Sequence, residues 1–288
     1  MRPAQQLREI LAKPGLHVMP CCFDGLSAKL IAAAGCKVSF MSGFAVAAAR
    51  LGLPDTGLIS FAEMVDTLRN CCAAAPDMPI IGDGDTGYGN ALNVQRTVTE
   101  YARAGAAAVM IEDQISPKKC GHTKGKQVIS RAEARLKIRA AVEAARKADI
   151  LVLARTDARA VLGFDEALAR CQDFVEEGAD IIFLEAPESE EEMRRFCATI
   201  KKPCMANMVI GGKTPVLPPA RLEEIGFKLA AYPVVLLSAA ITAMQQAIAA
   251  LQPSSNVAQP PQVSFEELKK VVGFPEYYEQ EARYVAAE

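Results

Sequence analysis

The sequence predicts an α/β fold, a (β/α)8 TIM barrel with a C-terminal helical arm. Three observations support this prediction. Short, continuously apolar segments alternate with segments of helical periodicity, the apolar segments number eight, and polar residues gather at the ends of the apolar segments. Apolar strands that alternate with helices are typical of a parallel sheet covered by helices, and eight such units close most economically into a barrel.

The eight apolar segments are the predicted strands. In chain order they are HVMPCC (17–22), KVSFMS (37–42), PIIGDGD (79–85), AVMIED (108–113), ILVLART (150–156), IIFLEA (181–186), CMANM (204–208) and KLAAYP (228–233). Segments between them, such as NVQRTVTEYARAG, have helical spacing, and several end in glycine, as helices often do. An open doubly wound sheet would place its polar residues mainly at one point, so polar residues at many strand ends favour the barrel.

The barrel is predicted to span residues 1–252, followed by a linker and the helical arm over residues 253–288. The linker PSSNVAQPPQ is rich in Pro, Ser and Gln, and the arm SFEELKKVVGFPEYYEQEARYVAAE resumes an amphipathic pattern. An arm of this kind packs on a neighbouring subunit or on its own barrel, and the sequence leaves both possibilities open.

Composition limits the class of protein. The chain has 288 residues, 51% of them hydrophobic, and a formal charge of -2, without the basic surplus expected of a nucleic-acid-binding protein. Neither a membrane span nor a signal peptide is expected, because no apolar run is long enough, and a cytoplasmic location follows as an expectation. The nine cysteines lack a CxxC pair, and we expect most of them to be small buried thiols.

GDGDTGYGN (82–90) is the most informative motif. Asp83 and Asp85 lie two apart on a predicted strand, which would place both side chains on one face. Adjacent carboxylates repel unless a cation holds them, so the motif predicts Mg²⁺ or Mn²⁺ bound by oxygen ligands. Glu112, at the next strand end, and Asp55, in LGLPDTG, could supply further ligands, directly or through water. The alternative is a simple turn, since Asp and Gly are also common turn residues.

Arg155 and Cys120 are the other candidates for chemistry. Arg155 ends an apolar strand, where its guanidinium needs an anion, either a carboxylate of the substrate or one of the protein. Cys120 lies among Lys118, Lys119 and His122, cations that favour the thiolate and suit a proton donor, a proton acceptor or a nucleophile. The alternative is a surface loop with solvated lysines and an incidental cysteine.

Taken together, the motifs resemble the isocitrate lyase and phosphoenolpyruvate mutase superfamily. The matching segments are SGFAVAA, LGLPDTG, GDGDTGYGN, IEDQ, KKCGH, ARTDA, LEAP and ANMVIGGKTP, in that family's order over about residues 5–250. KKCGH is the most specific of them, because in the family it marks the lyase branch.

The resemblance implies a barrel that exchanges its last helix between subunits and forms a homotetramer, a dimer of helix-swapped dimers. It also implies one Mg²⁺ ion, for which Mn²⁺ can substitute, held directly by Asp83, with Asp85, Glu112 and Asp55 acting largely through water. The implied partner is a small carboxylate substrate, with no nucleic acid and no membrane.

The site residues that the resemblance implies fall into two groups. The catalytic residues are Cys120, Arg155 and Glu185. The substrate-binding residues are Ser42, Gly43, Phe44, Gly121, His122, Arg155, Glu185, Asn207 and Thr214. In this scheme Ser42 and Gly43 hold one carboxylate, and Arg155 binds the 2-oxo acid unit.

The implied reaction is that of an oxo-acid-lyase, which breaks the C2–C3 bond of a 2-hydroxy dicarboxylate while Cys120 protonates the released carbon. Family members that cleave 2-methylisocitrate carry a tyrosine where this chain has Phe40, and those that hydrolyse oxaloacetate carry a serine where this chain has Tyr232–Pro233. The expected substrate is therefore 2,3-dimethylmalate, cleaved to pyruvate and propanoate, with 2-methylisocitrate and oxaloacetate as alternatives. Either Glu185 or a metal-bound water could be the general base. A barrel without catalytic activity would show damage in the carboxylates or in KKCGH, and neither is damaged here.

Overall fold

A computed structural model of the chain, which describes residues 2–120, 125–253 and 256–284, contains eight parallel strands closed into a barrel. The strands are β1 (His17–Cys22), β2 (Ser39–Met41), β3 (Ile80–Asp83), β4 (Ala108–Glu112), β5 (Leu151–Thr156), β6 (Ile181–Leu184), β7 (Cys204–Asn207) and β8 (Leu229–Tyr232). Each strand pairs with the next, and β8 pairs with β1 to close the ring. The predicted (β/α)8 barrel and all eight predicted strands are confirmed.

The described residues also form thirteen helices. They are α1 (Pro3–Ala12), α2 (Gly25–Ala33), α3 (Gly43–Leu51), α4 (Phe61–Ala74), α5 (Ala91–Arg103), α6 (Arg131–Ala148), α7 (Arg159–Leu162), α8 (Phe164–Glu177), α9 (Glu190–Thr199), α10 (Pro219–Ile225), α11 (Val235–Ala250), α12 (Phe265–Val272) and α13 (Phe274–Glu281). Capping boxes at Asp24, Ser60 and Asn90 satisfy the free amides that begin α2, α4 and α5.

Side chains of the strands alternate between two apolar layers. On β5, Leu151 and Leu153 point into the barrel interior, whereas Val152 and Ala154 pack in the layer between sheet and helices. The same alternation places Met110 of β4 and Phe183 of β6 in the interior. Because strand side chains repeat every two residues, the next inward positions lie at the carboxyl rim of the barrel.

The inward positions at the rim carry polar groups. Two residues beyond Met110, Leu153 and Phe183 stand Glu112, Arg155 and Glu185. All three side chains are buried. The apolar interior therefore aims charged groups at a common region above the core, which is where barrel enzymes place their active sites.

The turn after β3 is packed tightly against β4. The amide of Gly84 donates to the carbonyl of Met110 at 3.0 Å, and the amide of Glu112 donates to the carbonyl of Asp85 at 2.9 Å. A Cβ atom built on Gly84 would lie 2.6 Å from that Met110 oxygen, so only glycine allows this approach.

The chain divides into two compact units, residues 1–236 and 237–288. In the second unit, Ser264 caps the start of α12 and Gly273 follows its end. Helix α13 comes next, and within it the ring centres of Phe274 and Tyr278 lie 5.7 Å apart. The domain boundary after residue 252 and the exchange of the arm between subunits stay predictions. None of the described helices is long and apolar enough to span a membrane, and the cytoplasmic location also stays a prediction.

We expect Gly84→Ala to destabilise the protein by about 2 to 3 kcal/mol, because the added methyl group meets backbone that cannot move aside. Gly25→Ala is the matched control, since its Cβ would make an ordinary 3.5 Å contact with Ala74. Equilibrium urea denaturation measures both free energies of unfolding. Equal stability of the two variants would contradict the close approach described for Gly84.

Candidate active site

The four carboxylates that the sequence proposed for a cation are all buried at the rim: Asp55, Asp83, Asp85 and Glu112. Asp83, the last residue of β3, accepts the amide of Asp85 at Oδ1 and the amide of Gly43 at Oδ2, each at 3.0 Å. Asp85 lies beyond the strand, in a turn with φ of 48°. The prediction that both aspartates lie on one strand is therefore wrong, and the turn brings Asp85 to the site.

The amino end of α3 meets the Asp83 carboxylate. Ser42 caps this helix by accepting the amide of Ala45 at 3.3 Å. A Cβ on Gly43 would lie 2.6 Å from Asp83 Oδ2, so glycine is needed for the contact. The predicted residues Ser42 and Gly43 therefore lie at the helix end that meets Asp83. The Ser42 hydroxyl and the Gly43 amide, which were expected to hold substrate, already have hydrogen-bond partners within the protein. Phe44 follows them with 38% of its surface exposed.

Lys118 places a cation between two of the carboxylates. Its Nζ lies 2.6 Å from Asp55 Oδ1 and 2.8 Å from Asp85 Oδ1, and its side chain is 6% exposed. Both distances are those of short, charge-assisted contacts between an ammonium group and a carboxylate. Burial lowers the pKa of Lys118, but the negative charges of Asp85 and Asp55 outweigh burial and hold it well above its usual value. The alternative interpretation, in which this lysine is solvated, is wrong.

Negative charge at the rim is incompletely balanced. Burial, followed by repulsion from Asp85, raises the pKa of Asp83 to about 6. Burial also raises the pKa of Asp55, and it raises the pKa of Glu112 well above the ordinary value despite the nearby Arg155. Each shift records a free energy cost of ionising the group in this setting, which a bound cation would relieve.

The donor set fits a hard divalent cation. Carboxylate oxygens are the ligands that Mg²⁺ and Mn²⁺ prefer, and the excess negative charge favours such an ion. Across residues 2–120, 125–253 and 256–284, no three carboxylate, His or Cys side chains converge on one point as metal ligands. This geometry is compatible with contacts through water, which Mg²⁺ usually retains.

Arg155 is held by a carboxylate of the protein itself. Its Nε and Nη2 donate to the two oxygens of Asp157 at 2.8 and 3.0 Å, a bidentate pair. Its Nε lies 3.3 Å from Glu112, its Nη2 lies 3.9 Å from Glu185, and the guanidinium carbon lies 5.1 Å from the centre of the Phe183 ring. The fork to Asp157 uses two of the five guanidinium N–H groups, which leaves donors for a substrate carboxylate.

Glu185 and Asn207 form a polar group beside Arg155. The Asn207 amide nitrogen donates to both carboxylate oxygens of Glu185, at 3.3 and 3.4 Å. Thr214 is 4% exposed, and its hydroxyl has no hydrogen-bond partner within the described part of the chain. A buried hydroxyl without a partner is costly, so Thr214 is suited to a ligand that would satisfy it.

The segment that carries Cys120 is tied to β4 by Gln114. The Gln114 side chain accepts the amide of Lys119 at 3.0 Å and donates to the Lys119 carbonyl at 2.8 Å. The same amide nitrogen donates to Glu112 at 3.0 Å. Cys120 is half-buried and directly follows this clamp. The predicted residues Gly121 and His122 lie outside the described residues.

Lys118, Gln114, Asp157 and Lys126 were not predicted as site residues. Asp157 had a sequence signal, because it lies two positions after Arg155, whose guanidinium needs an anion. Lys126 Nζ lies 2.7 Å from Asp157 Oδ1 across 31 residues of chain. Such long-range partners leave no periodic pattern in a single sequence.

A separate cavity of about 690 Å³ lies at the opposite end of the barrel, among α1 and the ends of α2 and α4. Its charged side chains include Glu9, Lys13 and Lys37, all at least partly exposed. The buried charges and the orphaned hydroxyl lie instead at the carboxyl rim, which we therefore take as the candidate active site.

Comparisons with known proteins agree on one family. Residues 7–252 match the family model described as phosphoenolpyruvate phosphomutase. The chain is 42% identical over 286 residues to a 2,3-dimethylmalate lyase from Eubacterium barkeri, covering 99% of both chains.

Two solved structures are similar throughout. An oxaloacetate acetylhydrolase in complex with the inhibitor 3,3-difluorooxalacetate aligns with a TM-score of 0.93 at 34% identity, over 98% of this chain and 96% of the other. A phosphonopyruvate hydrolase in complex with oxalate and Mg²⁺ aligns with a TM-score of 0.87 at 29% identity, over 99% and 100% of the two chains.

The Asp83 pKa predicts a pH dependence of the metal-free protein. The folded state keeps this proton up to about pH 6, whereas the ordinary value is 3.8, so the folded state binds more protons between these values. Stability should therefore fall as pH rises from about 4 to about 6, by roughly 3 kcal/mol for this group.

Urea denaturation in EDTA at pH 4 and pH 7 measures the effect as the difference between wild type and Asp83→Asn. Asp165→Asn removes a carboxylate that is 87% exposed and should not alter the pH dependence. A wild-type and an Asp83→Asn protein with the same pH dependence would contradict the raised pKa.

Proposed function

Because the chain belongs to the phosphoenolpyruvate mutase/isocitrate lyase superfamily and is a lyase, we propose that it cleaves the C2–C3 bond of a 2-hydroxy dicarboxylate. The observation that carries this proposal is the buried rim cluster. In it, Arg155 lies 3.3 Å from one of the four carboxylates, Glu112, and the Cys120 segment is tied to the carboxylates by Lys118 and Gln114. Such a site combines groups for a cation, for an anion and for proton transfer.

Asp83 would hold Mg²⁺ directly, with Asp55, Asp85 and Glu112 holding its water ligands; Mn²⁺ would substitute. The burial and excess negative charge of these carboxylates support the assignment, as does the Mg²⁺ in the similar phosphonopyruvate hydrolase structure. When bound, the ion would neutralise charge on the hydroxyl and carboxylate of the substrate.

Arg155 would bind the carboxylate of the 2-oxo acid unit through the guanidinium donors that the Asp157 fork leaves over. Ser42 and Gly43, at the amino end of α3, would face the same substrate, since helix amino ends favour anions. Asn207 and Thr214 would contact the other end of the substrate, where the unpartnered Thr214 hydroxyl supports the assignment. Gly121, His122 and Phe44 complete the proposed binding residues.

Two proton transfers complete the proposed reaction. Glu185, fully buried beside Arg155 and Asn207, would accept the proton of the substrate hydroxyl. The electrons of the C2–C3 bond then pass to the leaving fragment, whose carboxylate becomes an enediolate, while C2 becomes the carbonyl of the 2-oxo acid. The Cys120 thiol donates its proton to the carbon of the leaving fragment, and the resulting thiolate regains a proton after product release.

For the substrate we propose 2,3-dimethylmalate, which would give pyruvate and propanoate. The resemblance to 2,3-dimethylmalate lyase over nearly the whole of both chains supports this choice. Oxaloacetate is the second candidate, favoured by the structural likeness to an oxaloacetate acetylhydrolase. Tyr232 ends β8 here and Pro233 follows it, in place of the serine that the resemblance associates with oxaloacetate hydrolysis.

We also propose that the chain forms a homotetramer, a dimer of helix-swapped dimers. The apolar sequence of α11 supports the assembly, because Ile241, Met244 and Ile248 are each at least 41% exposed in the single chain.

A substrate panel tests the proposed function. With Mg²⁺, we expect kcat/KM for 2,3-dimethylmalate to exceed that for 2-methylisocitrate and oxaloacetate by about tenfold or more, because a site discriminates through substituents that fill or fail to fill it. Release of pyruvate and propanoate is measured by coupled assay and chromatography. Oxalate and acetate formed rapidly from oxaloacetate would instead support the hydrolase, and turnover of no acid in the panel would refute the lyase.

Cys120→Ala should lower kcat by about 100-fold or more, because it removes the proposed proton donor. The variant should keep its thermal shift with Mg²⁺ plus oxalate, since the rim carboxylates and Arg155 are unchanged. Cys36→Ala, at another half-buried free thiol, is the matched control and should retain wild-type kcat. Full turnover by Cys120→Ala would remove Cys120 from the mechanism.

A further inference from the structure

Asp157 lies between two buried cations at the end of β5. Its Oδ1 is 2.7 Å from Lys126 Nζ, and its two oxygens accept the fork from Arg155. The side chains of Asp157 and Lys126 are 0% and 2% exposed. An ion triad of this kind is held out of water, where charge interactions are strong and an uncompensated member is costly.

Lys126 affects how much of the positive charge of Arg155 remains available to a substrate. The guanidinium faces three carboxylates, with Glu112 at 3.3 Å and Glu185 at 3.9 Å in addition to Asp157. Negative charge on these carboxylates would oppose the approach of an anionic substrate. Lys126 adds a second positive charge on Asp157, so that less of the Arg155 charge is neutralised from within the protein.

Lys126 also restricts the orientation of the fork. Asp157 is fixed at its backbone, because its amide donates to Asp113 Oδ1 at 2.8 Å, and Asp113 is in turn paired with Arg170 at 3.0 Å. The Lys126 contact fixes the other end, the carboxylate. A carboxylate held at both ends presents its oxygens to Arg155 in one direction, which orients the remaining guanidinium donors.

We propose that Lys126 is a positioning residue that acts through Asp157 on Arg155, keeping the guanidinium oriented and available for a substrate carboxylate. This inference rests on the proposed function, in which Arg155 binds the 2-oxo acid unit. Lys126 itself need not touch substrate. The residue lies outside the carboxylate set considered for the cation, and no periodic or motif signal points to it.

A variant without the Lys126 charge should still fold. The chain directly after Lys126 is held by the backbone: the amide of Ile115 donates to the carbonyl of Gln127 at 3.0 Å, and Val128 pairs with Gln114. Lys126→Met keeps the length of the aliphatic chain and removes only the ammonium group. Lys126→Gln, which retains one donor for Asp157, serves as a second variant should the first fail to fold.

The experiment uses the full chain with Mg²⁺ and oxalate as an anionic probe in titration calorimetry. Lys126→Met should bind oxalate about 10- to 100-fold more weakly than wild type, and KM for the cleaved acid should rise more than kcat falls. Mg²⁺ affinity measured without oxalate should change less than about twofold, since no proposed ligand is altered. Lys126→Arg should restore most of the oxalate affinity, a rescue that a purely structural role does not predict.

A double-mutant cycle tests whether the effect passes through Asp157. Once Asp157→Asn has removed the carboxylate, adding Lys126→Met should have little further effect on oxalate affinity, so the two losses should be far from additive. Lys29→Met, at a half-buried lysine of α2 that lines the cavity at the far end of the barrel, is the control for removing a lysine charge.

The outcomes separate this role from the proposed function. If the wild-type protein neither binds oxalate nor cleaves any acid of the panel, the proposed function fails and the role of Lys126 fails with it. If wild type binds oxalate and Lys126→Met binds it equally well, or if the losses in the cycle are additive, only the positioning role is overturned. Weaker oxalate binding with arginine rescue and a non-additive cycle supports it.

Discussion

The constraint on which the rest of the structure depends is the cost of burying charge at one end of the barrel. Seven carboxylates are buried there, and the cations facing them within the described residues are Lys118, Lys126, Arg155 and Arg170; the carboxylates are Asp55, Asp83, Asp85, Glu112, Asp113, Asp157 and Glu185. An interior so rich in anions is tolerable only if each is hydrogen-bonded, paired or prepared for a bound cation. The backbone amides that donate to Asp83, the close contact of Gly43 with that carboxylate, and the ion triad of Lys126, Asp157 and Arg155 all meet this requirement.

The two halves of the cluster differ in how they meet this requirement. Around Asp83 the balance is incomplete and the carboxyl group resists ionisation, which fits a region that receives a cation from outside. Around Asp157 two cations of the protein meet one carboxylate, which fits a region that keeps positive charge for an anion. A substrate that carries carboxylates and also chelates a metal would meet both halves at once.

The sequence predicted the barrel because apolar strands, helical periodicity and polar strand ends depend on local residue patterns. It also placed Asp83, Glu112, Arg155 and Glu185 at the carboxyl ends of buried strands, where the structure has them. It placed Asp85 on the wrong element, because a residue with positive φ in a Gly-rich turn is not distinguishable from the continuation of a strand. The ion pairs of Lys118 and Lys126 could not be predicted from the sequence, because their partners are distant in the chain.

The same strands carry the charged rim residues and the apolar residues of the barrel interior. Arg155 is borne by the strand whose lower positions, Leu151 and Leu153, fill the interior, and Glu112 stands above Met110 in the same way. A change of volume in that interior would tilt the charged groups as well as cost stability, so variation of the strands is doubly restricted. Exposed residues in the connecting segments do not fill the barrel interior and are free of this double constraint. Adaptation to a new acid should therefore be more readily achieved by altering exposed residues after the strands, such as residues 209–213, than by altering the strands themselves.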